Sequence, residues 1–128
     1  QEVAQKRLAP SKKANKTKRI AELNDECRKT VMMPVFGKKP CRVMLTQGIT
    51  SLSPEDQVII CAMVRDFSDF GDGNNIHGEK DFGAFDYNGQ KIFWKIDYYD
   101  NKLEFGSEDP SDPEKTTRVL TIFLASEY

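Results

Sequence analysis

An α+β fold, with a three- to four-stranded antiparallel sheet and helices packed on one face of it, is what the 128-residue chain predicts. Three observations lead there. Asn88-Gly89 stands between two strand-like runs; two segments, near 17–30 and 53–67, repeat apolar residues at helical spacing; and the length suits one hydrophobic core rather than two.

Residues 1–18 are rich in Lys, Ala and Gln and carry no sustained apolar stripe, so they read as a basic arm, partly disordered or helical, ahead of a single domain over 19–128. Ile20, Leu23, Cys27 and Val31 then recur at helical spacing and predict a helix over about 17–30. Met33, Pro34, Gly37 and Pro40 break that pattern, and Arg42–Thr46 has the length and β-branched content of a short strand. Ser53-Pro54-Glu55-Asp56 marks a second helix start. The serine hydroxyl can accept an orphan backbone N–H, proline fits the first turn, and the two acids oppose the positive end of the helix dipole. Ile59, Ile60, Met63, Val64 and Phe67 supply its apolar stripe.

Ser68–Asp81 is dense in Gly, Asn and Asp and has no periodicity, the mark of a long loop. It does not fit a calcium loop, since counting from Asp72 puts Ile76 at a ligand position and His77 where the glycine belongs. The Asn88-Gly89 turn fixes a register beyond it: Tyr87 opposite Gln90, Asp86 opposite Lys91, Phe85 opposite Ile92 and Gly83 opposite Trp94. Asp100-Asn101 reads as a second tight turn, pairing Tyr98 with Leu103 and Ile96 with Phe105, so that residues 82–105 form a three-stranded meander. Its apolar face holds Phe85, Ile92, Trp94, Ile96, Tyr98, Leu103 and Phe105; its polar face holds Asp86, Lys91, Lys95, Asp97 and Glu104. For 116–124 a helix is preferred after Asp112-Pro113-Glu114, with a fourth strand as the competing reading.

Charge excludes little. Residues 1–19 carry seven Lys or Arg against Glu2, whereas 66–128 carry six against fourteen Asp or Glu. A basic arm attracts nucleic acid or other polyanions, and the acidic second half repels phosphate. No apolar run approaches a membrane span, which gives no membrane role and a cytoplasmic location. Cys27, Cys41 and Cys61, spaced by fourteen and twenty, match neither a disulfide framework nor a zinc motif and read as reduced thiols near the core.

The candidate site residues are His77, Glu79 and Asp81 from the loop, Asp97, Tyr99 and Glu104 from the polar face, and Arg118. Asp97 and Glu104, opposed in the predicted register, repel unless a divalent cation or a nearby lysine compensates. Arg118, set among Thr and apolar residues, suits either a salt bridge to the acidic loop Glu108–Asp112, the commoner use, or an anionic ligand. His77 is the sole histidine, and no nucleophile elbow, zinc-protease or phosphate-loop motif occurs; no catalytic residue and no cofactor is assigned.

Four stretches, DFGAF at 81–85, FWKIDYYD at 93–100, GSEDPSDP at 106–113 and TRVLTIFLASEY at 117–128, resemble a bacterial family of unknown function. The likeness spans about 19–128. It implies a short protein of a type frequent on alphaproteobacterial plasmids and other mobile elements, with no established activity to transfer. The family's GEHDFG string stands here as Gly78-Glu79-Lys80-Asp81-Phe82-Gly83, which removes any role for a histidine at 80. The expectation is therefore a non-enzymatic accessory or regulatory protein that binds another protein through an acidic sheet face and the long loop, with inhibition of a host defence or nucleic-acid-handling enzyme as its specific form. A metal-dependent hydrolase built on the sheet carboxylates, and nucleic-acid binding by the arm, are the alternatives.

Overall fold

The computed structural model describes residues 11–32, 41–71, 75 and 77–128. The start of the basic arm, the Pro- and Gly-containing break at 33–40 and loop residues 72–74 and 76 lie outside them. The elements in order are α1 (Lys12–Lys29), β1 (Cys41–Leu45), the single turn α2 (Gln47–Thr50), α3 (Pro54–Arg65), β2 (Phe82–Tyr87), β3 (Gln90–Tyr99), β4 (Thr117–Leu124) and a closing 3-10 turn, Ala125–Glu127. No helix among the described residues is long and apolar enough to cross a membrane.

α1 begins earlier than the apolar stripe suggests because Ser11 caps it, its hydroxyl accepting from Ala14 N at 3.0 Å. The helix therefore runs through position 18, where the arm was expected to end. α3 starts as expected, with Ser53 Oγ accepting from Asp56 N at 3.1 Å. Of its proposed stripe, Ile60 and Val64 are fully buried but Ile59 is 45% exposed, because the contact with the sheet is narrower than five apolar residues.

The Asn88-Gly89 hairpin has the expected register throughout, Gly83 opposite Trp94 and Asp86 opposite Lys91 included. Both turn residues take positive φ, 52° and 78°. The third strand of the meander does not form. Residues 102–105 follow a tight turn in which Asp100 Oδ1 accepts from Glu104 N and Leu103 adopts φ 59°, and they return to β3 only as one bridge, Tyr99 to Gly106. A strand has two edges, and β3 gives one to β2 and the other to β4, which pairs from Ile92–Leu124 to Tyr99–Thr117. β4 brings Leu120 and Ile122 to the core, whereas 102–105 offers only Leu103 and Phe105, now 39% and 73% exposed. Burial decides the competition. Residues 117–124 are thus strand, not helix, and their β-branched content outweighs the cap-like Asp112-Pro113.

The sheet order is β1-β4-β3-β2, and β1 runs parallel to β4, so the sheet is mixed rather than purely antiparallel. Helices cover one face, where Cys27, Ile49, Ile60 and Val64 meet Ile92, Trp94, Ile96, Leu120 and Ile122. Cys27 and Cys41 form a disulfide that ties α1 to β1, with their Cα atoms 5.3 Å apart. They are therefore not reduced thiols: their sequence spacing carried no signal because packing of the helix on the edge strand sets the pairing. Cys61 is free and half-buried, and burial raises its thiol pKa, which disfavours the reactive thiolate.

Candidate functional site

One end of the sheet gathers a polar network beneath α1. Asn24, fully buried on α1, donates from Nδ2 to the Glu79 carbonyl and to the Tyr98 hydroxyl, both at 2.9 Å, and its Oδ1 accepts from Arg118 Nε at 2.7 Å. Tyr98 Oη in turn donates to Glu79 Oε1 at 2.8 Å. Arg118, only 2% exposed, adds a bond from Nη2 to the Pro110 carbonyl at 2.6 Å and lies over the Tyr98 ring at 5.1 Å. Three elements and two loops meet there because Tyr98 and Arg118 are register partners in β3 and β4.

Of the residues singled out from sequence, Glu79 and Arg118 are brought together, through Asn24 and Tyr98. His77 and Asp81 share the Glu79 loop, and Asp97 lies within electrostatic reach of Asp81. Tyr99, opposite Thr117, and Glu104, exposed in its turn, take no part. Asp97 faces Val119 rather than Glu104 and is paired with Lys95 at 3.3 Å, which removes the opposed carboxylates on which a metal site was to rest. No group of three or more candidate ligands able to hold a metal occurs among the described residues. Arg118 does reach the acidic loop, but by a backbone carbonyl and not by a salt bridge.

Asn24 was missed, although its signal is present: it is a polar residue inside the stripe from Ile20 to Cys27 and so has to find partners in the core. Chemically the network is a set of satisfied hydrogen bonds. Burial, with Glu79 and Asp81 adding to it, pushes the Tyr98 phenol pKa well up, so it stays protonated as a donor. Residues 45–127 match the family described as "Protein of unknown function (DUF3768)", more than half of the chain. The chain belongs to that family. The DUF3768 match takes in Glu79, Tyr98 and Arg118 but stops short of Asn24 and α1. Searches of curated proteins and of solved structures returned no match.

Asp81 in the DUF3768 region is half-buried, and its pKa is raised, first by desolvation and then by Glu79 and Asp97, against its own backbone N–H and His77. An acid whose folded pKa is raised loses stability as pH climbs from its unfolded value through the folded one. Asp81→Asn is therefore expected to raise the melting temperature by a few degrees at pH 7 and by much less at pH 3, measured by calorimetry at both. An equal gain at both values would assign the effect to something other than ionisation.

The outer face of the sheet, away from the helices, is not the acidic surface expected. Asp86 is met by Lys91 at 3.4 Å and Asp97 by Lys95, so its charges are balanced. Between them runs an aromatic row: Phe82 and Phe93 centroids are 5.4 Å apart, Phe93 and Phe123 5.6 Å, and Phe123 and Tyr128 5.7 Å. Tyr128, 90% exposed, and Met44, 58% exposed, bring apolar surface to the same face. The closing turn is fixed by Glu127, whose carboxylate accepts from Thr46 Oγ1, Gly48 N and Leu124 N at 2.6, 2.8 and 2.8 Å.

Proposed function

We propose that the protein is a non-enzymatic accessory or regulatory protein that acts by binding another protein through the outer face of its sheet. The observation that supports this reading is the apolar surface at the end of the aromatic row, where Tyr128 at 90% and Met44 at 58% stand exposed while Phe123 beneath them is buried and Phe82 and Phe93 are half-buried. Large aromatic side chains ringed by charged residues are the usual composition of a docking surface. Because Asp86 and Asp97 are already paired, the partner suited to this face is one with an apolar centre and a balanced polar rim, not a strongly basic one. The setting belongs to the same proposal and rests on family resemblance: a bacterial mobile element, action in the cytoplasm, and inhibition of a host defence or nucleic-acid-handling enzyme. The Cys27–Cys41 bridge weighs against the cytoplasm, since disulfides persist in oxidising surroundings.

The test is capture from the native host by the full chain, beside a Met44→Lys/Tyr128→Lys variant. Both positions are exposed, so the variant is expected to melt with the parent while losing a stoichiometric partner that the parent retains. Capture of the same partner by both proteins, or of none by the parent, would overturn the proposal.

A further inference from the structure

A cleft of about 550 Å³ opens between α1, the first residues of β1 and β4, and the segment leading into β4; Arg19, Leu23, Glu26, Cys41, Arg42 and Arg118 are among its walls. A volume of this size suits a small ligand. Its cations are poorly matched by carboxylates. Arg42 and Arg118 form no ion pair among the described residues, and Arg19 is held loosely, by Glu22 at 3.6 Å and Glu26 at 3.9 Å, between side chains about half exposed. Such exposed pairs contribute little and exchange readily.

Arg118 is the more telling residue. A guanidinium that is nearly inaccessible to solvent is held here by the Asn24 amide oxygen, the Pro110 carbonyl and the Tyr98 ring, all of them neutral. Neutral acceptors satisfy its hydrogen bonds, and its charge is offset only at a distance by the Glu79 and Glu26 carboxylates, which leaves a buried charge incompletely compensated. Burial accordingly lowers its pKa. Within the cleft three arginines outnumber Glu26 and Glu114, while Leu23, Pro113 and the bridged Cys41 supply apolar wall. A single excess positive charge beside an apolar wall matches a monoanion with an apolar body better than a dianionic phosphate. The planar guanidinium fork matches a carboxylate.

We propose that this cleft binds a small organic carboxylate, its oxygens taken by Arg19 and Arg42 and by Nη1 of Arg118, whose Nε and Nη2 are already committed, and its apolar body laid against Leu23 and the bridged Cys41. The site is independent of the outer sheet face, and Glu26 gives up its hold on Arg19 when the ligand enters.

The probes are benzoate, acetate and inorganic phosphate, titrated into the isotopically labelled full chain and followed by amide chemical shifts. Benzoate is expected to saturate the shifts of Thr117 and Arg118 and to bind about tenfold or more tightly than acetate, since the ring adds buried apolar area; phosphate should bind more weakly than benzoate. Arg19→Gln/Arg42→Gln is expected to weaken benzoate about three- to tenfold with an unchanged melting temperature. Arg118→Lys should also weaken it; if that variant fails to fold, the surface double variant decides. Shifts that do not saturate, equal affinity in parent and double variant, or phosphate binding more tightly than benzoate would each overturn the proposal.

Discussion

Arg28→Ala is expected to destabilise the protein by about 3–5 kcal/mol, the range for removing one partner from a buried charged cluster. Arg28 lies on the same face of α1 as Asn24 and is 4% exposed. Its Nη1 donates to the carbonyls of Val64 at 3.2 Å, in the last turn of α3, and of Phe67 at 2.9 Å, just past its end, and its Nη2 donates to Asp25. The guanidinium also sits between the Phe70 and Trp94 rings, 5.1 and 5.2 Å from their centroids. One side chain therefore caps the negative end of α3, neutralises Asp25 and fills the space between two aromatic rings. Alanine leaves the carbonyls and the carboxylate without it and opens a cavity beside the indole. Urea unfolding of parent, Arg28→Ala and Asp25→Asn tests this: the Asp25 variant keeps the cap and the stacking, so its loss should be much the smaller. An Arg28→Ala loss below about 1 kcal/mol, an ordinary surface value, would show that α3 is held by other contacts.

What the sequence made legible follows the range of the interactions involved. The Ser53 cap and the Asn88-Gly89 turn act over a few residues, and both are present with the expected partners. The pairing of β1 with β4 joins positions more than seventy residues apart, from Cys41–Arg118 to Leu45–Ile122, and no local pattern encodes it. Together with the ladder that β4 forms on β3, it overturned two expectations. Residues 117–124 are a strand paired on both sides, and by occupying the second edge of β3 that strand leaves 102–105 as a turn. The disulfide is of the same kind, since it depends on α1 lying against β1. For the polar network, Glu79 and Arg118 were visible as a loop acid and an isolated cation. Asn24 could be placed in the core by its position inside the apolar stripe but not matched to its partners, and Arg28 reads as surface until the distant loop and strand it meets come into view.

The Gly83–Trp94 pairing carries the second large effect. Gly83 has ordinary extended backbone in β2, so its requirement is space and not conformation. A Cβ there would stand 2.7 Å from Trp94 Cε2 and 2.8 Å from Phe67 Cε2 and closer still to the indole nitrogen. The indole is fully buried, with Phe67 and Phe70 packed edge-on at 5.5 and 6.2 Å, so it has little room to withdraw. Gly83→Ala is expected to cost about 1–3 kcal/mol through overpacking, although alanine is the better strand residue in the unfolded-state balance. The decisive measurement is a double-mutant cycle with Trp94→Phe, whose smaller ring vacates the contested volume. Gly83→Ala should then be nearly neutral in the Trp94→Phe background, giving a coupling of about 1 kcal/mol or more between the two sites. Additive losses would place the cost of the methyl group elsewhere, and would mean that glycine at 83 answers to the strand and not to the indole opposite.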